Sequence, residues 1–518
     1  MDTIIVLDFG GQYCHLIARR IRDLGVYSEI LPFNIDLETI KQIKPKGIIL
    51  SGGPGSVYED NSPKLSQEFY KYVLKEHIPV LGICYGHHLI AHQLNGRIKP
   101  HDLKEYGQSN LTIISFDGIL EGFNEKESVW MSHGDQVVEL PNGFEILAYT
   151  DTCPIASYAN YQQNLFGVQF HPEVVHTAKG NLVFENFINK YAKANKEWKL
   201  ENWVEEKVEE IKLKIGKNRV ILGLSGGVDS TVVALLLHKA IGDNLHCIFV
   251  NNGLLKMNEE IEVQKAFQEK LKFKNFHYVD AADLFLKKLD NIEEPEEKRR
   301  IIGHTFIEVF ENKTKELEKD YSNIKFLAQG TIYPDRVETS ATSNASAKIK
   351  SHHNVTLPEN MKLEIVEPLQ DLYKDEVRKI GIKLGAPEDI ITRHPFPGPG
   401  LAVRIVGKIN KEKLDILREA DKILIEEIKK ADIYNELWQA FCVFLPLKTV
   451  GVMGDYRTYE YLCAIRAVES LDVMTANFAK LNWDVLEKIG SRIINEVKGI
   501  NRVVYDITNK PPGTIEYE

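Results

Sequence analysis

Apolar residues in the first 190 positions form short continuous runs, separated by longer stretches with a helical period. The runs at Thr3–Leu7, Gly47–Leu50, Val80–Ile83 and Phe166–Phe170 are rich in β-branched residues, whereas Gln12–Leu24 carries apolar residues at helical spacing. Buried parallel strands are typically continuous apolar runs, and the helices that cover them show a 3.6-residue period. The pattern predicts an α/β domain with a mostly parallel sheet.

The composition changes after this stretch. Residues 191–217 are rich in Lys and Glu, lack proline, and carry apolar residues every three or four positions, which predicts one amphipathic connecting helix. Apolar runs then return at Val220–Leu224, His246–Val250 and Lys325–Ala328, with helical patterns between them. They predict a second α/β domain with a parallel sheet.

Proline and glycine alternate from Arg393 to Gly400, so neither a helix nor a central strand can continue there. A strand is predicted at Leu401–Val406 and a helix at Asn410–Lys430, which favours a smaller α+β domain for the remainder. The predicted fold is therefore two parallel-sheet α/β domains followed by a smaller α+β domain. The predicted domains are residues 1–190, 191–394 and 395–518.

Length, charge and cysteine usage narrow the function classes. A chain of 518 residues exceeds what one hydrophobic core supports, and its net charge of −10 disfavours a nucleic-acid duplex as main partner. No apolar run approaches the roughly 18 residues of a membrane helix, and no export signal is visible. The six cysteines form no CxxC pair, which argues against a disulfide framework and structural zinc. We therefore expect a cytoplasmic protein that acts on small molecules.

A cysteine between glycines is the first candidate for chemistry. Gly82-Ile83-Cys84-Tyr85-Gly86 follows an apolar strand and precedes a predicted helix at His87–Leu94, as in a nucleophile elbow. The start of a helix stabilises a thiolate and brings backbone N–H groups close to a developing oxyanion. The ordinary alternative is a small buried cysteine that only packs.

A histidine and a glutamate strengthen the functional interpretation of Cys84. In Gln169-Phe170-His171-Pro172-Glu173, an extended chain would place His171 and Glu173 on one side. The imidazole can then deprotonate the thiol while the carboxylate orients the imidazole. The three residues predict a Cys-His-Glu triad that attacks an acyl group.

The second candidate is the glycine turn Ser225-Gly226-Gly227-Val228-Asp229-Ser230, between a predicted strand and a predicted helix at Thr231–Ile241. Backbone N–H groups at such a helix start bind anions, but the Lys-Ser or Lys-Thr of a Walker A loop is missing. Asp229 beside a phosphate requires a cation between them, which predicts Mg²⁺ with Asp229 as a ligand. A plain glycine turn with a helix cap is the alternative.

Five strings in the first domain resemble the class I, triad-type glutamine amidotransferases: DFGGQY, SGGPGS, GICYGH, MSHGD and QFHPE. The resemblance implies that Cys84 is the nucleophile, His171 the base and Glu173 its orienter. It further implies an oxyanion hole formed by the backbone of Gly53 and Tyr85. The resemblance therefore implies that glutamine is the substrate and that ammonia is the product used in a second reaction.

One position departs from that family, whose members often have glutamine where this chain has His88. The contact of His88 to the substrate amide is therefore open. His88 and His92 lie four residues apart on a predicted helix, as in a metal pair. Since no third ligand is near in sequence, packing or substrate contact is favoured over zinc.

The turn SGGVDS resembles the PP-loop of ATP pyrophosphatases, which cleave ATP between its α- and β-phosphates and form an adenylate. The strings QGTIYPD, KIKSHHN, HPFPGPG and KPPGTIEYE are similar to those of the GMP synthetase family, so that the resemblance spans essentially the whole chain. It implies glutamine, ATP and xanthosine monophosphate (XMP) as substrates, and a homodimer. The implied ATP-binding residues are Ser225, Gly226, Gly227, Val228, Asp229, Ser230, Thr231 and Lys348, and the implied XMP-binding residues are Arg299, Lys510 and Glu516.

Two other functions stay open at this point. Another glutamine-dependent PP-loop ligase, such as an NAD synthetase, would share the first two sites, although HPFPGPG and KPPGTIEYE speak against it. A non-catalytic glutamine sensor would need damaged catalytic strings, and these are intact. Without the resemblance, KPPGTIEYE is equally typical of a disordered tail.

Overall fold

The computed structural model describes residues 1–342, 363–470 and 475–518, which fall into two compact units. Residues Met1–Trp203 and the described residues 337–342 form the first unit, and Val204–Arg336 with the described residues from 363 onward form the second. Among the helices of these ranges, none is long and apolar enough to cross a membrane.

The first unit contains one sheet and the helices that pack on it. Its elements are β1 Thr3–Asp8, α1 Cys14–Asp23, β2 Tyr27–Pro32, α2 Leu37–Ile43, β3 Gly47–Leu50, α3 Gln67–Lys75, β4 Val80–Ile83, α4 Tyr85–Gln93, β5 Arg97–Ile113, β6 Lys126–Glu139, β7 Glu145–Tyr149, β8 Ser157–Asn160, β9 Leu165–Val168 and α5 Gly180–Asn186.

The nine strands of this sheet have the order β2-β1-β3-β4-β9-β8-β7-β5-β6. Strands β2 to β9 in this order pair in parallel, and β9 onward pair antiparallel. The mostly parallel sheet that the sequence predicts is therefore only half of the observed one. Short turns join β7, β8 and β9, and such connections allow antiparallel pairing alone.

Strand β9 ends at Val168, before the predicted end at Phe170. Residues 172–173 lie in a turn, so the predicted extended chain from His171 to Glu173 is wrong. Pro172 has no N–H to continue a ladder, and the Thr177 hydroxyl donates to the His171 carbonyl at 2.7 Å, which closes the turn. The turn nevertheless brings both side chains together.

The second unit contains two sheets. The elements are α6 Leu200–Ile215, β10 Arg219–Leu224, α7 Val228–Ile241, β11 Leu245–Asn251, α8 Glu259–Gln264, β12 Phe276–Asp280, α9 Ala282–Lys288, α10 Pro295–Asp320, β13 Ile324–Ala328, α11 Tyr333–Thr342, β14 Glu364–Val366, α12 Lys374–Lys383, α13 Glu388–Ile391, α14 Lys411–Lys430, β15 Gln439–Met453, β16 Tyr456–Glu469, β17 Asn477–Phe478, α15 Trp483–Glu496 and β18 Ile500–Tyr505. Helix α6 begins in the last residues of the first unit, and helix α11 is divided between the two units after Arg336.

The five-stranded sheet of this unit is entirely parallel, with the order β12-β11-β10-β13-β14. The predicted second parallel sheet is thus present, and the SGGVDS turn follows its central strand β10. In such sheets, ligands bind beyond the carboxyl ends of the strands. The other sheet consists of the β15–β16 hairpin with β17 and β18 both paired to β16, and α14 and α15 pack on it.

The predicted strand at Leu401–Val406 is wrong, because Gly400–Arg404 form a short 3-10 helix. Gly400 has φ +63°, and a Cβ there would lie 2.4 Å from the Leu254 carbonyl oxygen. The Leu401 N–H donates to that carbonyl at 2.8 Å, so a contact across the chain fixes the turn. One continuous hydrophobic core covers both sheets of the unit, and the boundary at residue 394 stays a prediction.

Candidate active sites

The backbone at Cys84 is bent into a conformation that few side chains adopt. Cys84 has φ 53° and ψ −103° between β4 and α4. The turn packs so closely that a Cβ on Gly82 would lie 2.4 Å from the Gly86 carbonyl oxygen, and one on Gly86 2.4 Å from that of Leu50. A residue held in such a region costs about 1–3 kcal/mol, a strain that often marks a functional position. The geometry is that of a nucleophile elbow.

The predicted triad residues come together around Gly52. His171 Nδ1 lies 2.7 Å from Glu173 Oε1, and both side chains are buried. A Cβ on Gly52 would lie 3.4 Å from His171 Cε1 and 3.7 Å from the Cys84 Cβ, so the imidazole and the thiol flank the same glycine. The ring of Tyr13 packs edge-on against the imidazole, with 5.1 Å between ring centroids.

The charges in this cluster decide the protonation of His171. Burial alone lowers the pKa of His171, but the charges of Glu173 and Cys84 outweigh it and hold that pKa well above its ordinary value. A protonated imidazole beside sulfur stabilises the thiolate, which is the nucleophilic form of cysteine. The cluster can therefore supply both a nucleophile and an acid.

Residues that the sequence did not indicate hold the triad in place. The backbone N–H of His171 donates to the Trp130 carbonyl at 2.9 Å, and Arg20 Nε donates to the backbone carbonyl of Glu173 at 3.0 Å. Arg20 lies 153 residues before Glu173, and no local motif marks such a partner.

The suggested oxyanion-hole residues, Gly53 and Tyr85, lie beside each other. A Cβ on Gly53 would be 3.3 Å from Tyr85 Cγ and 2.8 Å from the Phe9 carbonyl oxygen, so only glycine fits. Their role in binding an oxyanion stays a prediction.

His88 is buried and contacts Gln169, with 2.6 Å between His88 Nε2 and Gln169 Oε1. Burial, helped by the charge of His133, lowers the pKa of His88 to about 4, so the ring is neutral at neutral pH. Over the residues that the structure describes, there is no group of three or more His, Cys, Asp or Glu that could hold a metal. The role of His88 toward the substrate amide stays open.

The PP-loop wraps around the first turn of α7. Gly226 has φ +75°, Gly227 caps the helix, and the Ser225 and Ser230 hydroxyl oxygens lie 3.0 Å apart. The Gly227 N–H donates to Ser225 Oγ at 3.3 Å, and the Thr231 hydroxyl donates to the Gly227 carbonyl at 2.8 Å. The loop therefore presents hydroxyls and N–H groups at a helix start, where anions bind.

Asp229 has one paired and one unpaired oxygen. Its Oδ2 lies 2.5 Å from Lys374 Nζ at the start of α12, whereas its buried Oδ1 has no hydrogen-bond partner among the residues that the structure describes. Mg²⁺ is typically bound by one or two carboxylates together with substrate phosphates. The orphaned oxygen fits that coordination, and Lys374 adds a positive charge that the sequence did not indicate. Lys348 lies outside the described residues.

The three suggested XMP residues lie in different surroundings. Glu516 accepts a bidentate pair from Arg404, at 3.1 and 3.0 Å, and a hydrogen bond from Gln439 at 2.8 Å. Arg299 donates to the Glu518 carbonyl, while the backbone of Lys510 pairs with Ala476. The segment KPPGTIEYE is thus packed against the protein at several points, contrary to a disordered tail.

Comparisons with known proteins cover the whole chain. The family model "Glutamine amidotransferase class-I" matches residues 5–191, "NAD synthase" matches 197–300, and "GMP synthase C terminal domain" matches 426–517. The chain is 54% identical to "GMP synthase [glutamine-hydrolyzing]" from Carboxydothermus hydrogenoformans over 100% of both chains. It is 54% identical to that from Aquifex aeolicus over 99% of both, and 53% identical to that from Thermosipho melanesiensis over 100% of both. The chain belongs to the family of glutamine-hydrolysing GMP synthases.

Membership in the GMP synthase family confirms the predicted fold class and the predicted activity, glutamine-dependent GMP synthesis by a ligase. The NAD synthase match is confined to residues 197–300, whereas the GMP synthases match from end to end. An NAD synthetase or a glutamine sensor is therefore not favoured.

Proposed function

We propose that Cys84, His171 and Glu173 release ammonia from glutamine in the first unit, and that the PP-loop of the second unit adenylates XMP. The observation that carries the proposal is the buried 2.7 Å pair of His171 and Glu173 beside the strained Cys84. That arrangement is what an acyl-transfer nucleophile requires.

In the first reaction, Cys84 Sγ attacks the side-chain carbonyl carbon of glutamine. The backbone N–H groups of Gly53 and Tyr85 bind the oxyanion, and His171 donates its proton to the departing ammonia. The resulting glutamyl thioester is hydrolysed by a water that His171 deprotonates. Glutamate is released, the sulfur leaves as the thiolate, and the imidazole keeps the proton for the next cycle. Glu173 keeps the imidazole oriented through both steps.

In the second reaction, the loop from Ser225 to Thr231 holds the phosphates of ATP through backbone N–H groups and hydroxyls. The 2-oxygen of XMP attacks the α-phosphorus, pyrophosphate leaves, and ammonia then displaces AMP to give GMP. Asp229 would hold Mg²⁺, which neutralises phosphate charge when bound. Lys374 adds a second positive charge at the same place, and Lys348 is proposed to bind ATP as well.

The XMP pocket is assigned to Arg299, Lys510 and Glu516. The support is local: Arg404 lies between the rings of Phe396 and Phe441, with 5.1 and 4.0 Å to the centroids, and fixes the Glu516 carboxylate. A fixed carboxylate is suited to accept hydrogen bonds from a base or ribose.

We also propose a homodimer and a cytoplasmic location. Val450, Val452 and Tyr459 lie on one face of the β15–β16 hairpin, where Val450 pairs with Tyr459, and each has more than half of its surface exposed. Such a patch is typical of a subunit interface. The six cysteines are free thiols, and a nucleophilic Cys84 needs a reducing compartment.

The Cys84→Ala variant tests the division of labour. Without the sulfur, glutamine-dependent GMP formation should fall to background, whereas synthesis from an added ammonium salt should stay within about twofold of wild type, because the PP-loop is untouched. GMP, AMP and pyrophosphate are measured with either nitrogen donor. Loss of both activities in a folded variant would contradict the proposal.

A further inference from the structure

Arg393, the residue before HPFPGPG, reaches back to the PP-loop. Its Nη1 lies 3.3 Å from the Gly226 carbonyl oxygen and 3.3 Å from Glu259 Oε1, and its Nη2 lies 2.9 Å from Glu262 Oε2. The contact spans 167 positions of sequence. Neither the triad nor the phosphate contacts proposed above use this guanidinium.

The contact matters because of what lies on the other side of the Gly226–Gly227 peptide. A trans peptide is planar, so its C=O and N–H point in opposite directions. A donor that holds the Gly226 carbonyl therefore fixes the direction of the Gly227 N–H, which donates to the Ser225 hydroxyl oxygen at 3.3 Å. Gly226 has no side chain that could hold this peptide. Glycine adopts positive and negative φ about equally well, so the residue itself does not fix the observed φ of +75°.

Arg393 is itself held firmly. Glu259, whose Oε1 accepts from Arg393 Nη1, is buried, and its Oε2 accepts a hydrogen bond from the backbone N–H of Lys256 at 3.1 Å. The next residue, His394, stacks on Tyr434 with ring centroids 3.9 Å apart and ring planes at 5°. Its two ring nitrogens contact the Tyr434 carbonyl and the Ala440 N–H, at 2.8 and 3.2 Å. The guanidinium thus extends from a fixed backbone.

The same segment touches the surroundings of the proposed XMP residue. Gln439 Nε2 donates to the Pro395 carbonyl at 3.0 Å and to Glu516 Oε1 at 2.8 Å. Three consecutive residues, Arg393 to Pro395, therefore connect the PP-loop carbonyl to the carboxylate of Glu516.

We propose that Arg393 is a positioning residue of the adenylation reaction: through the Gly226 carbonyl it fixes the Gly227 N–H, and with it the Ser225 hydroxyl that this N–H holds, in the arrangement that receives the phosphates of ATP. Arg393 does not touch the reacting atoms. The proposal rests on the adenylating role of the PP-loop, and it adds a residue that the loop motif does not contain.

The test compares Arg393→Ala, Arg393→Lys and the matched control Glu262→Gln in the full-length enzyme. Glu262→Gln removes the charge of the exposed outer partner and leaves the Gly226 contact in place. GMP formation is measured with XMP and an ammonium salt while ATP is varied, and inorganic pyrophosphate is titrated as an inhibitor of the same reaction.

Arg393→Ala should lower kcat/KM for ATP roughly 10- to 100-fold, because a misaimed phosphate contact weakens both binding and alignment. The inhibition constant of pyrophosphate should rise by about the same factor, while the KM for ammonium stays unchanged. Arg393→Lys, which keeps the charge but not the planar fork, should lie between Ala and wild type. Glu262→Gln should stay within about twofold of wild type.

The proposal would be overturned if Arg393→Ala left both kcat/KM for ATP and the inhibition constant of pyrophosphate unchanged. This holds even if the variant has a lower melting temperature, because Arg393 would then only stabilise the fold. If Arg393→Ala does not fold, unchanged constants in Arg393→Lys overturn it equally. Glutaminase activity reports on the folding of the first unit in every variant. A wild-type enzyme that forms no GMP would instead refute the proposed function itself.

Discussion

At the scale of single residues, Glu173 is the group that sets the behaviour of His171. Burial works against the imidazolium, and the carboxylate at 2.7 Å, together with Cys84, reverses that effect on the His171 pKa. Removing the charge of Glu173 while keeping its shape therefore isolates its contribution.

Glu173→Gln should reduce glutaminase kcat by roughly 100- to 10,000-fold, since the imidazole loses both its orientation and its raised pKa. Alkylation of Cys84 by iodoacetamide should slow in parallel, because the sulfur loses the protonated imidazole beside it. Glu127→Gln, which breaks an ion pair with Lys179 in the same unit, is the control. A glutaminase rate within threefold of wild type would contradict this role of Glu173.

The sequence predicts His171 and Glu173 because both lie in one short string, QFHPE, and because the glycine-flanked Cys84 elsewhere in the chain supplies a nucleophile for them. It does not predict Lys374 or Arg393, whose partners in the PP-loop lie 145 and 167 positions away. Lysine and arginine are mostly solvated residues, so neither type stands out in a chain with 27% charged residues. Only the fold brings them to the loop.

At the scale of elements, strands with continuous apolar runs are predicted almost to the residue: Gly47–Leu50 and Val80–Ile83 have the bounds that the sequence indicates. Errors occur where long-range contacts decide. The run at Leu401–Val406 is apolar because it is buried in the core, and the carbonyl of Leu254 turns it into a 3-10 helix. No α-helix separates the strands from β5 to β9, so the sequence lacks the alternation of strand and helix patterns that predicts the parallel half of the first sheet.

The five-stranded sheet also carries an acid-sensitive group. His246 on β11 is fully buried, with His277 and Arg219 each 3.1 Å from its ring nitrogens. Burial, then the charges of His277 and Arg219, lowers the pKa of His246 to about 4. The unfolded chain, with an ordinary pKa of about 6.5, binds more protons between these two values, so stability falls as the pH falls through that window.

His246→Gln, which keeps an acceptor for Arg219, should flatten the loss of thermal stability between pH 6.5 and 4. The expected difference in the free energy of unfolding is on the order of 2 to 3 kcal/mol at the acidic end. Differential scanning calorimetry at several pH values measures it. Because His394 and His88 also have pKa values of about 4, only the difference in slope between variant and wild type is informative. Equal slopes would show that His246 does not contribute.

At the scale of the whole molecule, the residues proposed for the two reactions lie in separate compact units. Asp229→Asn should abolish GMP synthesis with either glutamine or ammonium as donor, because the loop loses its carboxylate and Lys374 its partner. Basal glutaminase activity should persist, since every residue of the triad lies in the first unit. Glutamate release and GMP are measured on the same samples. A parallel loss of glutamate release in a folded variant would show that the units are not chemically independent.

The bend at Cys84 sets stability and catalysis against each other at one position. The backbone there adopts φ 53° with a side chain present, a conformation that glycine takes without strain. A change to glycine would relax the turn and end ammonia release in the same step. Under the proposed mechanism, the strained backbone at position 84 is therefore a cost in stability that accompanies the nucleophile.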